Sequence, residues 1–151
     1  MRFLLFMIAV LGVNSAMAMD EFIRKESRFS VTDTVQRIET ILDGNKAVNI
    51  MATVDHAANA GKKGLELRPT VLLIFGNPAL GTRLMQENQE AGVDLPMKML
   101  VWEDEEGRVW LSYINPLSLG SRHKLAGSQP VLEKMSGALN MISDKATGST
   151  Q

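Results

Sequence analysis

Hydrophobic and polar residues follow one another in patterns that predict five strands and three helices. Apolar runs or alternation with period two, both typical of strands, occur in residues 22–29, 47–54, 70–75, 97–102 and 109–114. Apolar residues at helical spacing occur in residues 31–42 and 79–90 and from Ser128 onwards. The predicted order is therefore β-α-β-β-(α)-β-β-α.

Local signals place the ends of the first and last helices. Ser30, three residues before Asp33, predicts a capped helix start, and Gly44 permits a left-handed exit. Pro130 suits the first turn of the last helix. One face of that helix is predicted to carry four apolar residues, namely Val131, Met135, Leu139 and Ile142.

The strand patterns also predict positions within a sheet. The mostly polar residues 22–29 indicate an edge strand, whereas the unbroken apolar run 71–75 predicts a central strand buried on both faces. Residues 97–102 and 109–114 form a predicted hairpin with an acidic, solvated tip. Two amphipathic helices need an apolar surface to cover. We therefore predict an α+β fold, with an antiparallel sheet that carries its helices on one face.

The first 18 residues have the pattern of a secretory signal peptide. Arg2 precedes an apolar run of 11 residues, and Ala16 and Ala18 form an A-x-A cleavage site. A retained membrane anchor is the alternative, but a spanning helix needs about 20 apolar residues. We predict a signal peptide in 1–18, a single α+β domain in 19–146 and a flexible tail in 147–151. The mature protein is then periplasmic or secreted, with no stable membrane insertion after cleavage.

Composition excludes several classes of site. The chain has no cysteine, so it has neither a thiol nucleophile nor a cysteine-based metal centre. Its formal net charge is −1 and no basic stripe is visible, which argues against nucleic-acid binding. No spacing typical of a metal site is present, and we predict no metal and no cofactor.

Six short phrases in the middle of the chain resemble a bacterial family called domain of unknown function 302. They are Asp55-His56-Ala57, Gly64 to Thr70, Phe75-Gly76-Asn77-Pro78, Asp94-Leu95-Pro96, Val101 to Asp104 and Arg122-His123. The resemblance spans about residues 22–145. It implies a β-α-β(4)-α fold similar to that of the TATA-binding protein, often as a dimer. It also implies a bacterial source, and hence the periplasm for an exported chain. The family carries no established activity.

Five polar residues in predicted loops are the candidate ligand-binding residues, because binding groups concentrate in loops. They are His56, Glu66, Arg68, Asn77 and His123. Structural roles are the alternatives: Asp55 and His56 can cap a helix start, and Glu66 and Arg68 can form an ion pair.

Two further patterns point to ligands only weakly. Residues 76–83 have the glycine spacing of a phosphate loop, but Thr82 and Arg83 replace its lysine and its hydroxyl residue. The segment is either a weak anion site at a helix start or a tight turn. Met97 and Met99 share a strand face and suit either copper(I) or core packing.

These features favour an exported small-ligand binding or interaction module. A structural subunit of an envelope complex, with a homodimer as its simple form, is the second hypothesis. The third is an unrecognised enzyme that uses Asp55 and His56 as an acid–base pair. The partner would be an unknown small ligand or an envelope protein.

Overall fold

A computed structural model describes residues 21–149. Within them, the strands and helices are, in chain order, β1 (Phe22–Ser27), α1 (Val31–Asp43), β2 (Asn49–Asp55), α2 (His56–Gly61), β3 (Thr70–Gly76), α3 (Pro78–Glu87), β4 (Met97–Glu103), β5 (Val109–Ile114), α4 (Pro116–Arg122) and α5 (Gln129–Thr147). Short 3-10 helices cover Gln89–Val93 and Ala126–Ser128.

The five strands form one antiparallel sheet in the order β1-β5-β4-β3-β2. This architecture confirms the predicted α+β class and the β-α-β(4)-α order. The helix predicted at residues 79–90 is α3, and α2 and α4 are added to the predicted elements. It also places β1 at an edge, as its polar sequence predicts. The most central strand is β4, not β3.

The helices α1 and α5 cover one face of the sheet. Ser30 caps α1 by accepting a hydrogen bond from the Asp33 amide at 3.1 Å, as predicted. Between sheet and helices lies a core of fully buried side chains, since apolar surface is stabilised by removal from water. It includes Ile38, Leu42, Leu73, Leu84, Met99, Leu111 and Leu132.

The opposite face of the sheet is only partly covered. Leu72 and Ile74 point away from the core because side chains alternate along a strand, and both stay half-buried. Trp102 and Trp110, which are cross-strand partners, share this face. The prediction that β3 is buried on both faces is therefore wrong, because the fold puts all its large helices on the other side.

The C-terminal boundary also differs from the prediction. Thr147 is fully buried in α5, and its carbonyl accepts a hydrogen bond from the Arg28 amide at 3.0 Å. Gly148 ends the helix with φ +71°, and a Cβ there would lie 2.9 Å from Cε2 of Phe29. The assignment of residue 147 to a tail is thus wrong. The predicted signal peptide lies outside the described residues.

Candidate functional site

An apolar cavity of about 350 Å³ lies between α3, α5 and one end of the sheet. We call it the methionine pocket, because four methionines line it. Its wall consists of Asn45, Val48, Met51, Phe75, Gly76, Asn77, Pro78, Leu80, Gly81, Thr82, Met85, Leu95, Pro96, Met97, Lys134, Met135, Ala138, Leu139 and Ile142. Cavities of this size and character are typical of small-molecule sites.

Local sequence signals build the wall where β3 ends. Gly76 is the last residue of β3, and a Cβ at this position would lie 3.4 Å from the Pro96 Cβ. Asn77 caps α3 by accepting a hydrogen bond from the Ala79 amide at 2.9 Å. The amides of Leu80 and Gly81 bond to the Asn77 carbonyl. This geometry favours the tight-turn interpretation of the segment over a phosphate-loop-like site.

Polar groups are few in the methionine pocket. Among the residues of the described range 21–149 that line it, Lys134 is the one charged residue, and its side chain is exposed. The Oδ1 atoms of Asn45 and Asn77 accept hydrogen bonds from backbone amides, at 3.1 and 2.9 Å. Thr82 adds an exposed hydroxyl. The pocket therefore combines a methionine-rich wall, whose side chains adapt in shape, with a small number of polar groups.

Next to the methionine pocket, His123 forms a partly buried pair with Asp94. The His123 Nε2 and Asp94 Oδ2 atoms are 2.6 Å apart, and Arg122 donates to the same oxygen at 2.8 Å. Arg122 also pairs with Glu21. Asn88 holds the His123 carbonyl at 2.9 Å. Because Asp94 directly precedes the pocket-lining segment Leu95-Pro96, these contacts fix that part of the wall to the end of α4.

The other end of the sheet, where β4 and β5 are joined, holds three of the predicted site residues. Arg68 donates to the Glu103 carbonyl at 3.2 Å and lies 3.7 Å from the Glu105 carboxylate. Glu66 and His56 are exposed. We call this region the hairpin end and the opposite region the pocket end.

Asp55 lies at the hairpin end too, and it serves as the N-cap of α2. Its carboxylate accepts a hydrogen bond from the Ala58 amide at 2.8 Å. His56 occupies the first turn of this six-residue helix. This arrangement favours the capping interpretation of the pair over an acid–base role.

The five predicted site residues are therefore not brought to one place. His56, Glu66 and Arg68 lie at the hairpin end, whereas Asn77 and His123 lie at the pocket end. Strand β3, seven residues long, separates the two groups. At about 3.3 Å per residue, this separation is about 20 Å. Of the five, only Asn77 lines the methionine pocket.

Sequence reasoning missed the pocket because its wall comes from distant segments. Met51, Met85 and Met135 belong to three different elements and carry no shared motif. Of the four pocket methionines, Met97 alone belongs to a recognisable sequence pattern, because it shares a strand face with Met99. Met99 is fully buried in the core and does not line the cavity.

The role of Asp104 in the hairpin was missed as well. Its carboxylate accepts hydrogen bonds from the Trp110 indole at 2.7 Å, from Arg108 Nε at 2.9 Å, and from the amides of Arg108 and Glu106. Burial acts to raise the pKa of Asp104, but the bonds from Trp110 and Arg108 outweigh it and hold the pKa below its ordinary value. The predicted solvated tip thus contains one well-anchored carboxylate.

Two classes of feature are absent from the described part of the chain. In residues 21–149, no three His, Cys, Asp or Glu side chains are grouped so that they could hold a metal ion. None of the helices in that range has the length and apolar character required to cross a bilayer.

Comparison with known proteins gives a family and a fold. The family "Domain of unknown function DUF302" matches residues 23–142. The chain is similar to a crystal structure of an uncharacterized conserved protein DUF302 from Bacillus stearothermophilus, with TM-score 0.75 and 19% identity. That match covers 85% of this chain and 99% of the other, and at this identity it shows the fold alone.

The curated relatives are proteins named as ion channels, not as DUF302 proteins. The chain is 45% identical over 109 residues to the fluoride-specific ion channel FluC 1 of Brucella suis biovar 1. The aligned region covers 72% of this chain and 42% of that protein. The match to the fluoride-specific ion channel FluC 2 of Brucella melitensis biotype 1 has the same identity and covers 40% of that protein. The chain thus spans about two fifths of the length of these relatives.

Proposed function

The chain belongs to the DUF302 family, and from its geometry we propose that it is a small-ligand binding module whose site is the methionine pocket. One observation carries this proposal: a cavity of about 350 Å³ whose wall is almost entirely apolar opens beside a well-packed core. Protein interiors are normally filled to crystal density. A cavity of this size beside such a core is therefore a candidate for an occupant.

The wall favours an apolar body of variable shape. Met51, Met85, Met97 and Met135 line the cavity, and unbranched thioether side chains repack around different ligands at low cost. The pocket is bounded by α3 and α5, which are held in the core by the fully buried Leu84 and Leu132. A rigid frame with an adaptable lining suits a binding module.

Methionine methyl groups supply the direct test. In the full chain labelled with 13C-methyl methionine, titration with 1-octanol should shift the signals of the four pocket methionines. Met141 is 51% exposed and lies outside the pocket, so its signal should stay in place. The absence of any shift at the four pocket positions, across octanol and other apolar alcohols, would contradict the proposal.

A blocking variant sharpens the test. Ala138→Phe places a ring in the cavity and should abolish the octanol-induced shifts. Met141→Phe places the same ring on the exposed surface of the same helix and should leave binding unchanged. Equal loss of binding in both variants would show that the effect comes from α5 and not from the pocket.

We also propose that the chain is exported to the periplasm, on the pattern of residues 1–18. Amino-terminal sequencing of protein from the periplasmic fraction of its host should begin at Met19. Intact Met1 on soluble protein from the cell interior would contradict export.

A second candidate function is an interaction module that works with an ion channel, and the named curated relatives favour it. The chain is 45% identical to a part of proteins named fluoride-specific ion channels. For this role we assign the half-covered sheet face with Trp102 and Trp110 to protein contact, either with a second copy or with an envelope protein. Loss of the gene should then reduce fluoride tolerance of the host, and unchanged tolerance would remove this candidate. Light scattering of the full chain tests the homodimer separately.

A further inference from the structure

Most of the polar side-chain groups that line the methionine pocket can donate hydrogen bonds to a ligand. Asn45 Oδ1 and Asn77 Oδ1 are each engaged by a backbone amide. The Nδ2 group of an asparagine can only donate hydrogen bonds, so with the oxygens engaged these two groups are left as donors for a ligand. Lys134 Nζ is also a donor only, and the Thr82 hydroxyl can donate. The lining therefore favours a ligand whose polar group accepts hydrogen bonds.

The charge of the pocket also favours a ligand whose polar group accepts hydrogen bonds, and in particular an anion. Lys134 is the one charged residue among those that line the pocket, and within residues 21–149 no carboxylate lies within ion-pair distance of its ammonium group. The wall also includes the first turn of α3, at the positive end of that helix dipole. A cationic head group would meet uncompensated positive charge, whereas an anion would be paired.

We propose that the methionine pocket binds an amphipathic carboxylate, with its alkyl part among the four methionines and its carboxylate paired with Lys134. This inference rests on the proposed binding function and adds the chemical class of the ligand. The apolar wall holds the alkyl part by removing it from water. The exposed Lys134 contributes selectivity for the head group rather than most of the affinity, because an exposed ion pair is weak.

The test compares two ligands of eight carbons each, octanoate and 1-octanol, in the methionine-labelled full chain at pH 7 and low salt. Octanoate should bind about twofold to fivefold more tightly than 1-octanol, which is the contribution of an exposed ion pair. In Lys134→Met, the ratio of the affinity for octanoate to the affinity for octanol should fall by that factor. Added salt should weaken octanoate binding in the parent chain alone.

Lys145→Met is the matched control. Lys145 lies on the same helix, is exposed and does not line the pocket, so its replacement should leave the affinity for both ligands unchanged. Lys134→Glu should reverse the preference, so that octanol binds more tightly than octanoate.

The outcomes separate this inference from the function on which it rests. If octanol shifts the pocket methionines but Lys134→Met leaves the ratio of octanoate to octanol affinity unchanged, the carboxylate assignment is wrong and the binding function stands. If neither ligand shifts any pocket methionine, both are wrong.

Discussion

The two ends of the sheet differ in what their polar groups do. At the hairpin end, Asp104 accepts four hydrogen bonds and Arg68 reaches the carbonyl of Glu103, so polar groups are used to shape the turn. At the pocket end, Lys134 lines a cavity and has no carboxylate partner within residues 21–149. Polar side chains that hold a fold together are not available to a ligand. A ligand site is therefore expected in the apolar cavity at the pocket end, beside Lys134.

The largest expected effect tests whether the pocket end contains unfilled space. Leu84 and Met85 are neighbours in α3, and Leu84 is fully buried in the core whereas Met85 lines the pocket. Leu84→Ala should lower the free energy of unfolding by about 2–5 kcal/mol, the usual cost of a core truncation. Met85→Ala should cost less than about half of that, because its side chain already borders a cavity. Urea denaturation measures both, and equal losses would mean that the cavity is closed in solution.

The two histidines give a matched pair, one at each end. His123→Ala removes the partly buried hydrogen bond to Asp94, and should cost about 1.5–3 kcal/mol of unfolding free energy because the partner is a carboxylate. It should also weaken octanol binding, since Asp94 anchors the pocket wall at Leu95. His56→Ala should change stability by less than about 0.5 kcal/mol, as is usual for an exposed position. Loss of octanol binding in His56→Ala would place the ligand site at the hairpin end and break the comparison.

A smaller effect is expected from the hairpin carboxylates. Asp104→Ala leaves the Trp110 indole and two backbone amides without their acceptor, and should lower Tm by roughly 3–6 °C. Glu105→Ala removes a side chain that is 80% exposed and should leave Tm within about 1 °C. Thermal unfolding followed by tryptophan fluorescence measures both. Similar Tm values in the two variants would show that the hairpin network does not contribute to stability.

The stability of the protein at acid pH tests one carboxylate from each end of the sheet, Glu87 and Asp104. The bonds from Ser128 and Gly127 hold the pKa of Glu87, at the pocket end, below its ordinary value. The pKa of Asp104 is also lowered, by its hydrogen bonds and against the opposing effect of burial. A lowered pKa in the folded state adds stability above the ordinary value and loses it as pH falls through the folded value.

The parent chain should therefore lose stability as pH falls below about 4.5 for Glu87 and below about 3.8 for Asp104. Glu87→Gln and Asp104→Asn should each have a lower Tm at pH 6 and a shallower decrease of Tm between pH 5 and pH 3. Parallel curves for the parent and both variants would contradict the assigned shifts.

Local sequence patterns predicted most of the fold. Ser30 and Asp33 located the start of α1, and the apolar and alternating runs located β3, β4 and β5, because these signals depend on neighbours in the chain. The position of β3 within the sheet was wrong, since an unbroken apolar run does not reveal which face a helix will cover. The end of α5 was placed one residue early, because the burial of Thr147 depends on its distant contact with Arg28.

The candidate site was harder to predict. His123 was identified as a candidate, but its partner Asp94 lies 29 positions earlier in the chain. Lys134 is one lysine among many until the fold places it at the methionine pocket. Asn77 is a candidate from its position in a predicted loop, and the structure makes it both the cap of α3 and part of the pocket wall.

The sequence alone determined the order of the five strands and of α1, α3 and α5, the Ser30 cap of α1 and the membership of the family, because each depends on residues close together in the chain or on their fixed order. Only the tertiary structure decided that His56 and His123 lie at opposite ends of the sheet, and that four methionines from separate elements enclose one cavity. Packing brings distant segments together, and a cavity exists only where those segments fail to fill the space between them.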